Sequence, residues 1–226
     1  MNENMPVEAA KPSQTLTEDV YMRLRADILS AVLIPGTKLK VTEISRRYDT
    51  GASPVREALS RLSSEDLVEK TENRGFRVAP ISERQFAEIA DLRCLLEAEA
   101  LRRALDQADR EWEDRLTVAF FRLDREAQSS SEWEHLHRSF HLTLLDCAGS
   151  TLLMRHIEDL YDQAVRYRNL SRHTTGVDRD VTAEHRTIFE ASLDRNSEVA
   201  VNALLKHYKT TLESLAGASM NFTLGE

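Results

Sequence analysis

Apolar positions recur with two different periods in the first third of the chain and with one in the remainder. Val20, Leu24, Ile28 and Val32 (or Ala31) share one face of a helix over Thr17–Val32, which Pro35-Gly36 ends. Val41, Ile44 and Tyr48 give a shorter helix an apolar face, and the turn Asp49-Thr50-Gly51-Ala52 follows it. Val55, Ala58, Leu59 and Leu62 then recur at i, i+3, i+4 and i+7, the stripe of an amphipathic helix. Ser53 is its expected N-cap and Pro54 its first helical residue, where a missing N–H costs nothing. After Leu62 the period shortens. Leu67–Thr71 and Phe76–Ala79 read as strands joined by Glu72-Asn73-Arg74-Gly75, a turn whose Asn and Gly tolerate positive φ.

Two short helices, a turn and a two-stranded ribbon are the plan of a winged helix-turn-helix. Arg56, Ser60 and Arg61 lie off the buried stripe of its second helix, and Arg74 and Arg77 occupy the hairpin tip and flank. That disposition suits a helix in the major groove and a wing on the backbone or minor groove. The residues expected to face DNA are Thr42, Ser53, Pro54, Arg56, Arg61, Arg74, Gly75 and Arg77. The alternative is a small packed domain with solvated arginines.

From Ser82 onward the pattern is helical throughout, with helices expected near 82–106, 109–128, 131–148, 150–171, 178–193 and 196–218. Ser82 is a plausible cap for the first. Six such helices make a bundle whose interior can gather side chains from several of them. On the third, Trp133, His137, Phe140, His141, Leu144 and Ala148 form the inward stripe, so two histidines four apart share the buried face. His185 falls on a stripe with Val181, Ile188 and Ser192, and His207 on one with Ala200, Leu204 and Thr211. Four inward histidines on three helices point to a shared metal site; the alternative is a set of satisfied core residues. Arg93 shares a face with Ile89, Leu96 and Ala100, where a charge is costly unless paired, and Glu97 is a candidate partner. His135, His156 and His173 fall off these stripes or in a loop and read as surface residues.

Charge divides the chain. Overall it carries −8, an unexpected value for a DNA-binding protein. Residues 1–80 hold 12 basic and 12 acidic side chains, whereas residues 81–226 hold 18 and 26. Within 21–61 there are 8 basic against 4 acidic. Two domains with different partners explain this better than one. The expected division is a polar tail over 1–14, a winged helix-turn-helix over 15–80 and a helical domain over 81–226. Only seven Gly and five Pro argue against a turn-rich all-β fold. Cys94 and Cys147 lack any paired or metal-type spacing, no run is apolar enough for a membrane span, and the first residues do not build a signal peptide. A cytoplasmic location is expected.

Pro35-Gly36-Thr37-Lys38-Leu39, Ser53-Pro54-Val55-Arg56-Glu57-Ala58-Leu59 with Arg61-Leu62, and Asn73-Arg74-Gly75-Phe76-Arg77-Val78 resemble the DNA-binding half of GntR-type bacterial transcription regulators. Gly51-Ala52 departs from the Ser-Arg that this family usually carries there, so one arginine contact to DNA is missing. Asp91-Leu92-Arg93 with Glu97, Phe140-His141 with Ala148-Gly149-Ser150, Glu184-His185-Arg186 and Ala203–His207 resemble the all-helical FCD domain of the FadR branch. The resemblance implies a mainly α protein: an N-terminal winged helix-turn-helix plus a C-terminal all-α, FCD-like helical bundle. It also implies a homodimer on an inverted-repeat operator in double-stranded DNA, with repression as the usual sense, and a divalent metal held by His141, His185 and His207. A carboxylate effector would approach that metal with help from an arginine. His137 stands where the family has an Asp, and an all-imidazole shell leans toward zinc or nickel.

The run Trp133–His141, with Leu160–Gln163 and Arg166–Arg168, looks closest to the CsiR-type regulators, which implies a small dicarboxylate, glutarate, as effector. Arg93, Tyr161 and Arg168 are then the expected effector-binding residues. Two rival readings are a helical dimerisation module without metal sensing and a metal-dependent hydrolase. The latter lacks a carboxylate between His137 and His141.

Overall fold

The computed structural model describes residues 15–71, 75–171 and 179–219. They form two compact units, one made of residues up to Ala79 apart from Leu29–Ala31, the other of those three and the chain from Pro80 on.

In the first unit α1 (Leu16–Leu29), α2 (Val41–Arg47) and α3 (Ala52–Ser64) carry a sheet of β1 (Lys38–Leu39), β2 (Val68–Thr71) and β3 (Gly75–Val78). The strands are ordered β1-β3-β2 and all pairs are antiparallel. The third strand, β1, is too short for alternation to show in the sequence; Leu39 opposite Phe76 places it. Leu24, Ile28, Val55, Leu59, Leu62 and Val78 are buried to within about 1% of their surface and make this core. Tyr48 closes α2 by donating from its hydroxyl to Asp27 at 2.7 Å.

Two local expectations are corrected. The N-cap of α3 is Gly51, not Ser53, and no side chain caps it. Pro54 therefore sits at the third helical position, still within the turn whose N–H groups have no intrahelical acceptor. The left-handed residue of the turn is Asp49 (φ 50°), whereas Gly51 has φ −78°. The short polar side chain of Asp tolerates that region.

The second unit contains α4 (Glu83–Gln107), α5 (Arg110–Asp124), α6 (Trp133–Leu145), α7 (Thr151–Ser171), α8 (Val181–Leu193) and α9 (Ser197–Ser219). Caps start three of them. Ser82 accepts from Gln85 N–H, Asp109 from Trp112 N–H and Asp180 from Ala183 N–H. α5 stops at Asp124, four residues short of the expected end, and Asp124 there accepts from Arg186 at 2.7 Å. α4 packs on α7 and α9, α8 on α9 and α5, and α5 on α6. Trp112, Phe120, Phe140, Leu144, Ile188 and Leu204 fill the centre. Phe120 stacks on Phe189 with ring centroids 4.1 Å apart.

Candidate effector and metal site

Four helical stripes deliver four imidazoles to one place. His137 and His141 come from α6, His185 from α8 and His207 from α9, and none exposes more than 4% of its surface. One ring nitrogen from each lies within 4.8 Å of the others. The Nε2 atoms of His137 and His141 are 3.2 Å apart, and those of His141 and His185 are 3.3 Å apart. A tetrahedral shell with metal–nitrogen bonds of about 2.0–2.1 Å has edges of about 3.3–3.4 Å.

The outer nitrogens fix which atoms face inward. The Tyr161 hydroxyl donates to Glu134 at 3.0 Å and lies 2.6 Å from His137 Nδ1. A tyrosine has one proton, so once it goes to the carboxylate His137 must donate from Nδ1. Tyr208 repeats the arrangement: its hydroxyl donates to Glu97 and lies 3.2 Å from His141 Nδ1. His207 donates from Nδ1 directly to Glu184 at 2.7 Å. These three rings therefore hold Nε2 as a lone pair. Lone pairs facing each other at van der Waals range repel unless a proton or a cation lies between them. Burial pushes His137, His141 and His185 well below the usual imidazole range. It lowers His207 to about 4 despite the opposing pull of Glu184. Neutral imidazole is the metal-binding form, so the donor set fits a divalent ion.

Every carboxylate in this shell is tied to an arginine. Arg93 Nε donates to Glu97 at 2.7 Å, Arg168 to Glu134 at 2.6 Å, and Arg179 to Glu184. Burial works to raise the Glu184 carboxyl, but hydrogen bonds from Arg179 and His207 outweigh it and hold it near about 2. Arg93 lies 4.3 Å from the centre of the Tyr208 ring and 5.1 Å from that of Tyr161. Its Nη2 is buried without a hydrogen-bond partner among the described residues. Arg93 also lines a small cavity with Phe86, Arg168, His207, Tyr208 and Thr211, of about 20 Å³, room for about one water. Tyr161 is fully buried, and Arg168 donates to its hydroxyl at 3.1 Å.

Periodicity placed the four histidines, Arg93, Tyr161 and Arg168 on inward stripes, and the fold brings all seven together. It did not single out Tyr208, Glu134 or Arg179 for this site. Tyr208 had a signal, because it extends the Ala200–Leu204 stripe by four residues. Arg179 lies outside any helix and had none. His135 and His156 are exposed; His173 lies outside the described residues.

In the first unit Thr42, Ser53 and Arg56 are exposed and Pro54 half-buried. Arg61 bonds Glu18 at 2.8 Å and lies 3.6 Å over the Tyr21 ring; Arg77 bonds Glu69 at 2.8 Å. Arg56 takes part in no ion pair among the described residues. Gly75 begins β3 opposite Thr71, whose Oγ1 would stand 2.8 Å from an added Cβ. Arg74 lies outside the described residues.

The chain thus combines a winged helix-turn-helix with a helical bundle lined by four buried histidines. Residues 16–78 match the bacterial regulatory proteins of the gntR family, and residues 88–210 match the FCD domain. The chain is 34% identical over 204 residues to the HTH-type transcriptional repressor GlaR of Escherichia coli (strain K12), covering 86% of this chain and 93% of that one. It is 32% identical over 207 residues to the HTH-type transcriptional regulator BphR of Paraburkholderia xenovorans (strain LB400), covering 88% and 84%. The solved structure of E. coli McbR/YncC shares the fold, with a TM-score of 0.78 at 20% identity over 90% of this chain and 98% of the other. The protein belongs to the GntR family and carries an FCD domain: it is a DNA-binding transcription regulator, not an enzyme. Among the described residues no helix is long and apolar enough to cross a membrane.

Proposed function

We propose that the protein is a homodimeric repressor that binds an inverted-repeat operator through α3 and the β2–β3 hairpin. A small organic acid, a dicarboxylate such as glutarate, relieves repression by binding in the FCD domain beside a divalent ion, zinc or nickel, held by His137, His141, His185 and His207. The observation that carries this reading is the convergence of inward-facing Nε2 atoms beside an arginine with an unused donor. Two relatives described as repressors, GlaR and RspR of E. coli, support the sense of regulation.

The residues have separable roles. When bound, the ion supplies a fixed positive charge in a site of low dielectric. Arg93 offers Nη2 to one carboxylate, and Arg168 stands near Tyr161 for the second. Arg56, exposed at the front of α3, is placed to meet a base edge or a phosphate. An acid shifts the DNA-binding equilibrium only by its differential affinity for the two arrangements of the dimer.

Thermal-shift measurements on the metal-loaded protein with mono- and dicarboxylates, with and without chelator, test the sensor half. A dicarboxylate should raise the melting temperature in a chelator-sensitive way, and His141→Ala with His185→Ala should abolish bound metal and response together. A wild-type protein that takes up neither zinc nor nickel would sink the reading.

A further inference from the structure

Two chains of side chains around the cluster have the same plan. Arg93 bonds Glu97, Glu97 accepts from Tyr208, and the Tyr208 oxygen faces His141 Nδ1. Arg168 bonds Glu134, Glu134 accepts from Tyr161, and the Tyr161 oxygen faces His137 Nδ1. The two histidines are the i, i+4 pair of α6, while the tyrosines come from different helices, α9 and α7. Both tyrosines are buried in the bundle, and each hydroxyl has a glutamate oxygen as its acceptor.

We infer that Tyr161 and Tyr208 are positioning residues: each locks one α6 imidazole in the tautomer that aims its Nε2 lone pair into the cluster and ties that imidazole to the arginine end of the site. The proposal rests on the metal reading above and adds two residues and a linkage to it. The reason lies in proton counting. A carboxylate accepts only, so each phenol spends its proton on its glutamate and turns an oxygen lone pair to the imidazole. A histidine offered only an acceptor at Nδ1 must place its hydrogen there, which leaves Nε2 free. A phenylalanine in either place would fill the same space and remove this instruction. The ring could then turn its N–H inward, where it cannot bind an ion. Partners of this kind, outside the ligands themselves, typically change metal affinity about 10–100-fold.

The linkage follows from the other end of each chain. Arg93 Nη2 is unused among the described residues, so an anion drawn to it shares that guanidinium with Glu97 and alters the acceptor that Tyr208 serves. Site and ligand set are thus joined by three contacts on each side, with no rearrangement of the backbone required.

The test is competition titration of the full-length protein with Zn2+ against a chromogenic chelator, for wild type, Tyr161→Phe and Tyr208→Phe. The d–d absorption of Co2+-loaded protein serves as a coordination signature, and the melting temperature of the metal-free form as a fold control. Each variant should bind Zn2+ at least tenfold more weakly, shift the Co2+ bands, and keep a cooperative metal-free transition. Should a phenylalanine variant fail to fold, Glu97→Gln carries the same test, because Arg93 keeps the amide oxygen at one position and the amide nitrogen at the other donates to the Tyr208 oxygen, freeing the phenol proton for His141 Nδ1. Zn2+ affinity within twofold of wild type with unchanged Co2+ bands, alongside a lowered metal-free melting temperature, would assign the tyrosines a purely structural role and overturn the proposal. Failure of the wild type to bind either Zn2+ or Ni2+ would overturn the metal reading beneath it.

Discussion

Arg93 is held by Glu97 at one nitrogen and, among the described residues, has no partner at another, deep in a helical bundle. Burying such a donor costs about 1–3 kcal/mol unless something accepts from it. Arg93→Met should remove the thermal response of the metal-loaded protein to a dicarboxylate and lower its basal melting temperature, because buried Glu97 loses its ion-pair partner; a response equal to wild type in the same melting assay would count against Arg93 as an effector contact. The histidines make a pH prediction. His207 binds its proton at about 4 in the fold and at 6.5 in a solvated chain, so the unfolded state takes up more protons between these values. The stability this represents is present above pH 6.5 and is lost as pH falls toward 4, and His137, His141 and His185 are displaced in the same direction. Glu184 adds a loss of the same sign lower down, as pH falls from the ordinary carboxylate range toward about 2. Thermal melts of metal-free protein should show a melting temperature that drops steeply from pH 7 to pH 5; a flat profile would contradict neutral buried imidazoles. At the DNA face, Arg56→Ala should cost about 1–3 kcal/mol of operator binding if it reads a base, or lower the salt slope by about one unit if it holds a phosphate, measured by fluorescence anisotropy at several salt concentrations.

Among the elements, the boundaries follow local chemistry that is written in the chain. Ser82, Asp109 and Asp180 each accept from the backbone N–H three residues on, and the helices begin there. Between α6 and α7 the break at Gly149 has a backbone reason, a left-handed φ of 67°, and a steric one. A Cβ at this position would lie 3.0–3.1 Å from the Gln107 side-chain amide. Gly149→Ala should destabilise the helical unit by about 1–2 kcal/mol, read as a lower urea midpoint with unchanged slope. α3 shows the opposite case. Ser53-Pro54 looked like a cap followed by a first residue, yet α3 begins at Ala52. Both starts satisfy the proline, because any position in the first turn lacks an intrahelical acceptor, so local rules do not choose between them.

For the whole molecule, the acidic excess and the histidines reside in one unit while α3 and its basic neighbours reside in the other. A ligand that binds one folded unit stabilises that unit by about 2.7 kcal/mol at a hundredfold excess over its dissociation constant. Calorimetry of zinc-loaded and chelator-treated protein should accordingly move the transition of the helical unit upward with metal. Equal melting temperatures in the two forms would argue against a structural ion in the bundle.

The sequence by itself determined the helices, the winged motif and the side of each helix on which His137, His141, His185, His207, Arg93, Tyr161 and Arg168 would lie, because periodicity and capping are local properties. Only the tertiary structure decided that these faces meet with lone pairs about 3.2 Å apart. The same holds for the partners of the outer nitrogens: Tyr208 and Glu97 are 111 residues apart, and Glu134 and Arg168 are 34 apart. Such pairings depend on which helices pack together and at what rotation, and no stretch of chain short enough to carry a periodic signal contains that information.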